Sequence, residues 1–201
     1  MTVRRRLVLS LLITLTLIAV LTAFGPAERT LGANLRLVLL HGAWVWSGKL
    51  LFAAAGLCGL AAILSPARWV DWSRALGWSG LLFWLTYLPM SLLVQWQNWG
   101  GIFWDEPRWR IPFTFGVVGV LLQSGLLVLD QPRLTGFANA AFGLALWLAL
   151  GGAENILHPD SPVAQSGSFA IRLTFGLLLG LALLSGAQLS LLLKRSVHKA
   201  A

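Results

Sequence analysis

Two histidines, a run of tryptophans and a few arginines are the residues of this chain best suited to hold a ligand. His41 stands in "LRLVLLHGAWVW" (35–46), followed by Gly42 and Ala43, which leave space beside an imidazole. His158 stands in "ENILHPDSPV" (154–163), where Pro159 stops a helix just after it, because the residue before a proline is pushed out of the helical region. Asp160 could accept a hydrogen bond there. The stretch "NWGGIFWDEPRWR" (98–110) adds three tryptophans, four charges and two adjacent glycines. Neutral imidazole is a good donor to iron. Tryptophan faces stack on a flat ring, and guanidinium matches carboxylate in two parallel hydrogen bonds. These types suit a planar iron macrocycle. Haem b is the expected ligand, with His41 and His158 as axial ligands of the iron. Trp99 and Trp104 would then be stacking faces, with Arg36 and Arg108 at the propionates. Each part also has a plainer reading. A histidine can be a hydrogen-bonded interfacial residue, and tryptophans can form an aromatic belt at a membrane edge.

The elements that must position these residues are membrane spans. The chain has 201 residues, 57% hydrophobic and only 11% charged, against about 25% charged in soluble domains. A helix crosses a bilayer with about 20 apolar residues, and six segments qualify: roughly 7–24, 37–64, 75–96, 112–129, 134–151 and 169–193. Backbone in lipid must satisfy its own hydrogen bonds, so the spans are helices. The expected fold is therefore one all-α domain over 1–201, an integral membrane bundle of six transmembrane helices. The first 24 residues have the charged start and apolar middle of a signal peptide. Their apolar run of about 18 residues is nonetheless adequate for a span, and a retained helix is expected.

Lys and Arg near span ends set orientation. With the N-terminus in the cytoplasm, nine basic residues near span ends fall on that side (Arg4, Arg5, Arg6, Arg68, Arg74, Arg133, Lys194, Arg195, Lys199). Four fall on the other side: Arg29, Arg36, Arg108 and Arg110. Both termini are thus expected to be cytoplasmic, in a cell (inner or plasma) membrane. The net charge of +8 then reads as topology rather than nucleic-acid binding. Loops 25–36, 97–111 and 152–168 share the outer face, which brings His41, His158 and the tryptophan-rich loop to one side.

These stretches together resemble the tryptophan-rich "WWD" haem-handling family of cytochrome c biogenesis, in its six-span, CcmC-like type. The family's outer loop carries a pattern like W-G-x-x-W-x-W-D. Here "WGGIFWD" (99–105) matches Trp99, Gly100, Trp104 and Asp105, is one residue shorter, and has Phe103 near an expected tryptophan. "HGAW" (41–44) and "NILHPDSPV" (155–163) are similar to the family's two histidine regions, and Arg36 sits where the family tends to keep a basic residue. Arg108 follows Asp105 by three positions, after Pro107, where the family often has an arginine at two. The resemblance implies haem bound at the outer face and passed on. The partner would be a haem chaperone, an ABC-type membrane partner or an apocytochrome c. It implies ligand presentation, not catalysis.

The remaining features are read more simply. Lys49 lies within the second span, and intramembrane charges are costly and suggest function; it could line an entry path or pair within the bundle. Arg172 could reach a propionate or lipid headgroups. "AAAGLCGLAA" (53–62) and "GLLLGLALLSG" (176–186) read as close helix packing. Cys58 has no second cysteine to pair with. No nucleophile or phosphate-loop motif is present, so an enzyme is not expected. Two alternatives to haem handling stand: a b-type haem electron-transfer subunit, and a small haem-free transporter.

Overall fold

The computed structural model describes residues 2–154, 163 and 165–197. It is all-helical, with α1 Val3–Ala23, α2 Leu35–Leu64, α3 Pro66–Trp99, α4 Pro107–Leu129, α5 Pro132–Gly151 and α6 Phe169–Val197. All six are long and apolar enough to cross a membrane, the pattern of a multi-pass membrane protein.

The helix limits correct the sequence reading in three places. α3 begins at Pro66, nine residues before the expected 75, so most of "SPARWVDWSR" is helix and not a connection. Its charges lower the hydropathy without interrupting the backbone pattern, and Pro66 suits a first helical turn. The loop expected over 97–111 shrinks to seven residues, 100–106. Gly100 ends α3 at φ 71°, and Pro107 opens α4. Arg4, Arg5 and Arg6 belong to α1, whose start is capped by the Thr2 hydroxyl accepting from Arg5 N at 3.3 Å.

α2 is the centre of the bundle. It runs antiparallel to α3, with Trp44 beside Thr86 and Phe83 at one end, and Ala55 beside Ser73 further along. It also runs antiparallel to α5, with Lys49 beside Trp147 and Gly59 beside Gly136. Gly59 and Gly136 bring the two backbones so close that a Cβ on either would overlap the other's carbonyl. Gly56 and Gly143 continue this seam. The small-residue reading therefore holds for 53–62. In 176–186 a Cβ at Gly176 or Gly180 would meet nothing within 4 Å, and of the three glycines only Gly186 faces a neighbour, Leu51; the packing there is made by Leu178, Ala182 and Ser185, which are buried.

A polar knot ties four helices. The Ser73 hydroxyl donates to the Ala55 carbonyl at 2.9 Å. Asn139 Nδ2 reaches the Ser73 hydroxyl at 2.9 Å and its carbonyl at 3.2 Å. Gln123 Nε2 donates to Asn139 Oδ1 at 2.7 Å. On the far side, α1 leans on α6, where Gln188 Nε2 donates to Ser10 at 2.9 Å and Thr14 at 3.2 Å.

The bundle has two unlike ends. At the end holding the start of α1 and the close of α6, basic residues cover tryptophans: Lys194 Nζ lies 4.1 Å from the Trp72 ring and Arg68 5.2 Å from Trp69. Arg74 pairs with Asp130 at 2.5 Å. The opposite end, called the tryptophan end below, carries 24–34, 100–106, the close of α5 and the start of α6.

Candidate functional site

At the tryptophan end, α2 opens beside the close of α1. Arg36 Nε donates to the Gly25 carbonyl at 2.9 Å and Nη1 to the Ala23 carbonyl at 2.7 Å. Carbonyls at a helix C-terminus lack intrahelical partners and carry partial negative charge, so a guanidinium suits them. Arg36 thus ties the start of α2 to the close of α1 through Nε and Nη1. Arg36→Met is expected to lower stability by about 2 kcal/mol, as hydrogen bonds to a charged group are lost. Thermal unfolding of the variant checks this. The loop between them is closed by Gly32 at φ 55° and by the Glu28 carboxylate, which accepts from Leu31 N at 3.1 Å. That bond, then one from Thr30, holds the Glu28 carboxyl below the usual range.

His41 lies on the second turn of α2, half-buried, with Nδ1 inside the bundle. Its ring centre is 5.0 Å from Tyr87 of α3. Gly42 does not leave space beside the imidazole, because a Cβ there would come within 3.2 Å of the Phe175 ring, and Ala43 is fully buried. The two small residues instead admit α6.

Tyr87 joins His41 to the start of α4 for a reason written in the sequence. Pro112 has no N–H, so the Arg108 carbonyl four residues earlier loses its helical donor. The Tyr87 hydroxyl donates to that carbonyl at 3.2 Å. Trp84 Nε1, one turn below, donates to the Pro112 carbonyl at 2.9 Å. The first turn of α4, with Arg108, Trp109 and Arg110, is therefore fixed against α3.

The loop 100–106 is held by Phe103 N donating to the buried Gln95 Oε1 at 2.9 Å. Its rings do not share a plane. Trp99 meets Phe103 edge to face at 74°, and Trp104 meets Trp109 at 65°. Trp109 is buried in the core, whereas Trp99 and Trp104 are 38% and 58% exposed. Asp105 is fully exposed, with Arg110 Nη1 at 3.8 Å. Beside it a shallow groove of about 370 Å³ runs between α4 and α5, lined by Pro107, Phe115 and Ala149 among others.

His158, the second expected iron ligand, and Asp160 lie outside the described residues. Among the described residues no three His, Cys, Asp or Glu side chains gather to hold a metal ion. Arg172 is exposed on α6. The structure does give Lys49 a definite place: its ammonium sits over the rings of Trp46 and Trp147. The sequence held the signal for this only in part. Trp46 is three residues away on the same helix, but Trp147 is distant in the chain.

No family model, curated protein or solved structure matches this chain.

Proposed function

We propose that this protein binds haem at its tryptophan end and presents it to an acceptor, with that end outside the cytoplasm as the basic-residue bias implies. The observation that supports the reading most is the link through Tyr87. That one side chain packs on the His41 ring and holds the backbone of Arg108, next to two exposed indoles, Trp99 at the end of α3 and Trp104 in the loop. The described residues fit half of such a site. His41 Nδ1 is buried, so Nε2 would be the nitrogen offered to iron, with Arg108 as the expected partner of a propionate. Trp99 and Trp104 would have to turn from edge-to-face contacts to lie flat on a ring. Haem is cargo here, and the chain's work is to bind, orient and release it; Asp105 and the flanking arginines would set its direction.

The test is a haemin titration of the detergent-purified protein. The wild type is expected to give a sharp Soret band at one haem per chain. His41→Ala and His158→Ala should each lose it. Trp104→Ala should weaken retention several-fold while thermal unfolding stays within about 0.5 kcal/mol of wild type, as for an exposed side chain. A band indifferent to both histidines, or no band, sinks the haem reading. Adding an excess of apomyoglobin as a generic acceptor separates handling from electron transfer: haem in transit leaves within minutes, whereas a permanent b-type haem stays.

A further inference from the structure

Lys49 is a cation that the haem reading leaves without a task. Its ammonium lies 4.4 Å from the Trp46 ring centre and 4.0 Å from that of Trp147. The two indoles stand 5.9 Å apart with their planes at 65°. Trp147 is pinned by Nε1 donating to the Lys49 carbonyl at 3.4 Å, so it grips the same residue at backbone and side chain. Ring faces attract a cation, but an ammonium also carries three N–H donors that want acceptors. No carboxylate among the described residues pairs with Lys49, and α2 contains no acidic residue.

The cage is also accessible, because Lys49 is only half-buried and Trp46 is 38% exposed. Trp147 is four residues short of the end of α5, or about 6 Å at 1.5 Å per residue. The cage therefore lies at the α2–α5 seam, about 6 Å from the tryptophan end of α5 and about 21 Å from that end of α2, where a molecule dissolved in the bilayer can reach it.

We propose that Lys49, held between Trp46 and Trp147, binds the carboxylate of an amphiphile whose apolar body lies in the bilayer. The carboxylate has two possible sources. One is a haem propionate, in which case the inference rests on the reading above. The other is a free fatty acid, for which it stands without that reading.

The experiment compares three probes on the purified full chain in a zwitterionic detergent: haemin, haemin dimethyl ester and carboxyl-13C oleate. If the source is haem, the wild type binds haemin about tenfold tighter than the diester, the size of one charge-assisted hydrogen bond. Lys49→Met removes that preference without moving the Soret band, since the iron ligands are elsewhere, and Lys49→Arg restores it. If the source is a fatty acid, wild type shows a bound oleate carboxyl resonance that Lys49→Met loses. Lys49→Met removes a charge from a span and is expected to fold; the ester comparison needs no variant at all. Haemin bound with no preference over the ester, together with no Lys49-dependent oleate, overturns the proposal and leaves the haem reading standing. Oleate held by Lys49 with no haemin bound sinks the haem reading and keeps the proposal. Neither probe bound overturns both.

Discussion

Gly136→Val will drive α5 off α2. A Cβ at this position overlaps the Gly59 carbonyl oxygen and lies 3.1 Å from its carbon. Valine adds two methyls beyond that. The atoms it meets are helix backbone, which cannot swing aside as a side chain can. Overpacking usually costs about 1–3 kcal/mol. Here relief requires moving a whole helix, which also loosens Gly56 against Ala140 and Gly143 against the Phe52 carbonyl. A loss above about 4 kcal/mol is expected, in the range that marks a named structural fault. The readouts are a monodisperse peak in mild detergent and the unfolding temperature, expected to fall by about 10 °C or more. Gly176→Val is the control, since nothing lies within 4 Å of that glycine. Equal unfolding temperatures for the two variants would show that the seam does not hold the bundle.

Asn139→Leu is the second large loss. Asn139 makes three hydrogen bonds, to Gln123 and twice to Ser73, and is 2% exposed. Interhelical hydrogen bonds in membranes average about 0.6 kcal/mol each, so three together give about 2 kcal/mol. Much of that cost comes from leaving Gln123 Nε2 buried without an acceptor. Removing both partners is cheaper than removing one. Asn139→Leu with Gln123→Leu should therefore be more stable than the sum of the single changes implies. A double-mutant cycle in thermal unfolding measures this, and strict additivity would mean the knot is not a unit.

The number and type of helices were legible because hydropathy over twenty residues is a strong signal. Their ends were not, where charge and helix coincide. Arg68, Asp71 and Arg74 interrupt the apolar run without interrupting α3, and Arg108 and Arg110 look like loop but form the first turn of α4. The polar knot was invisible for another reason. Ser73, Gln123 and Asn139 are unremarkable singly, and 66 residues separate Ser73 from Asn139. The site was legible in its residue types and not in their commitments. Arg36 has the right chemistry for a propionate and is found holding the end of α1. Gly42 looks like room for a ligand but is room for Phe175. Pro112 could have been read further, since a proline inside a helix always frees the carbonyl four residues back. What could not be read is that Tyr87 supplies the donor.

The helix lengths carry a last consequence. α5 has 20 residues and α3 has 34, or about 30 Å against about 51 Å. A bilayer hydrocarbon core is about 30 Å thick. The same molecule thus offers the lipid a helix that matches it on the α5 side and, on the α3 side, one longer than the core, whose first turns carry Arg68, Asp71 and Arg74. Such an excess is met by tilt or by the charged start of the helix standing out into water. The α2–α3 hairpin is long on both arms, so it can tilt as one piece while α5 stays upright. The lipid around α5 would then be the thinner sector of an uneven collar, and it borders the α2–α5 seam.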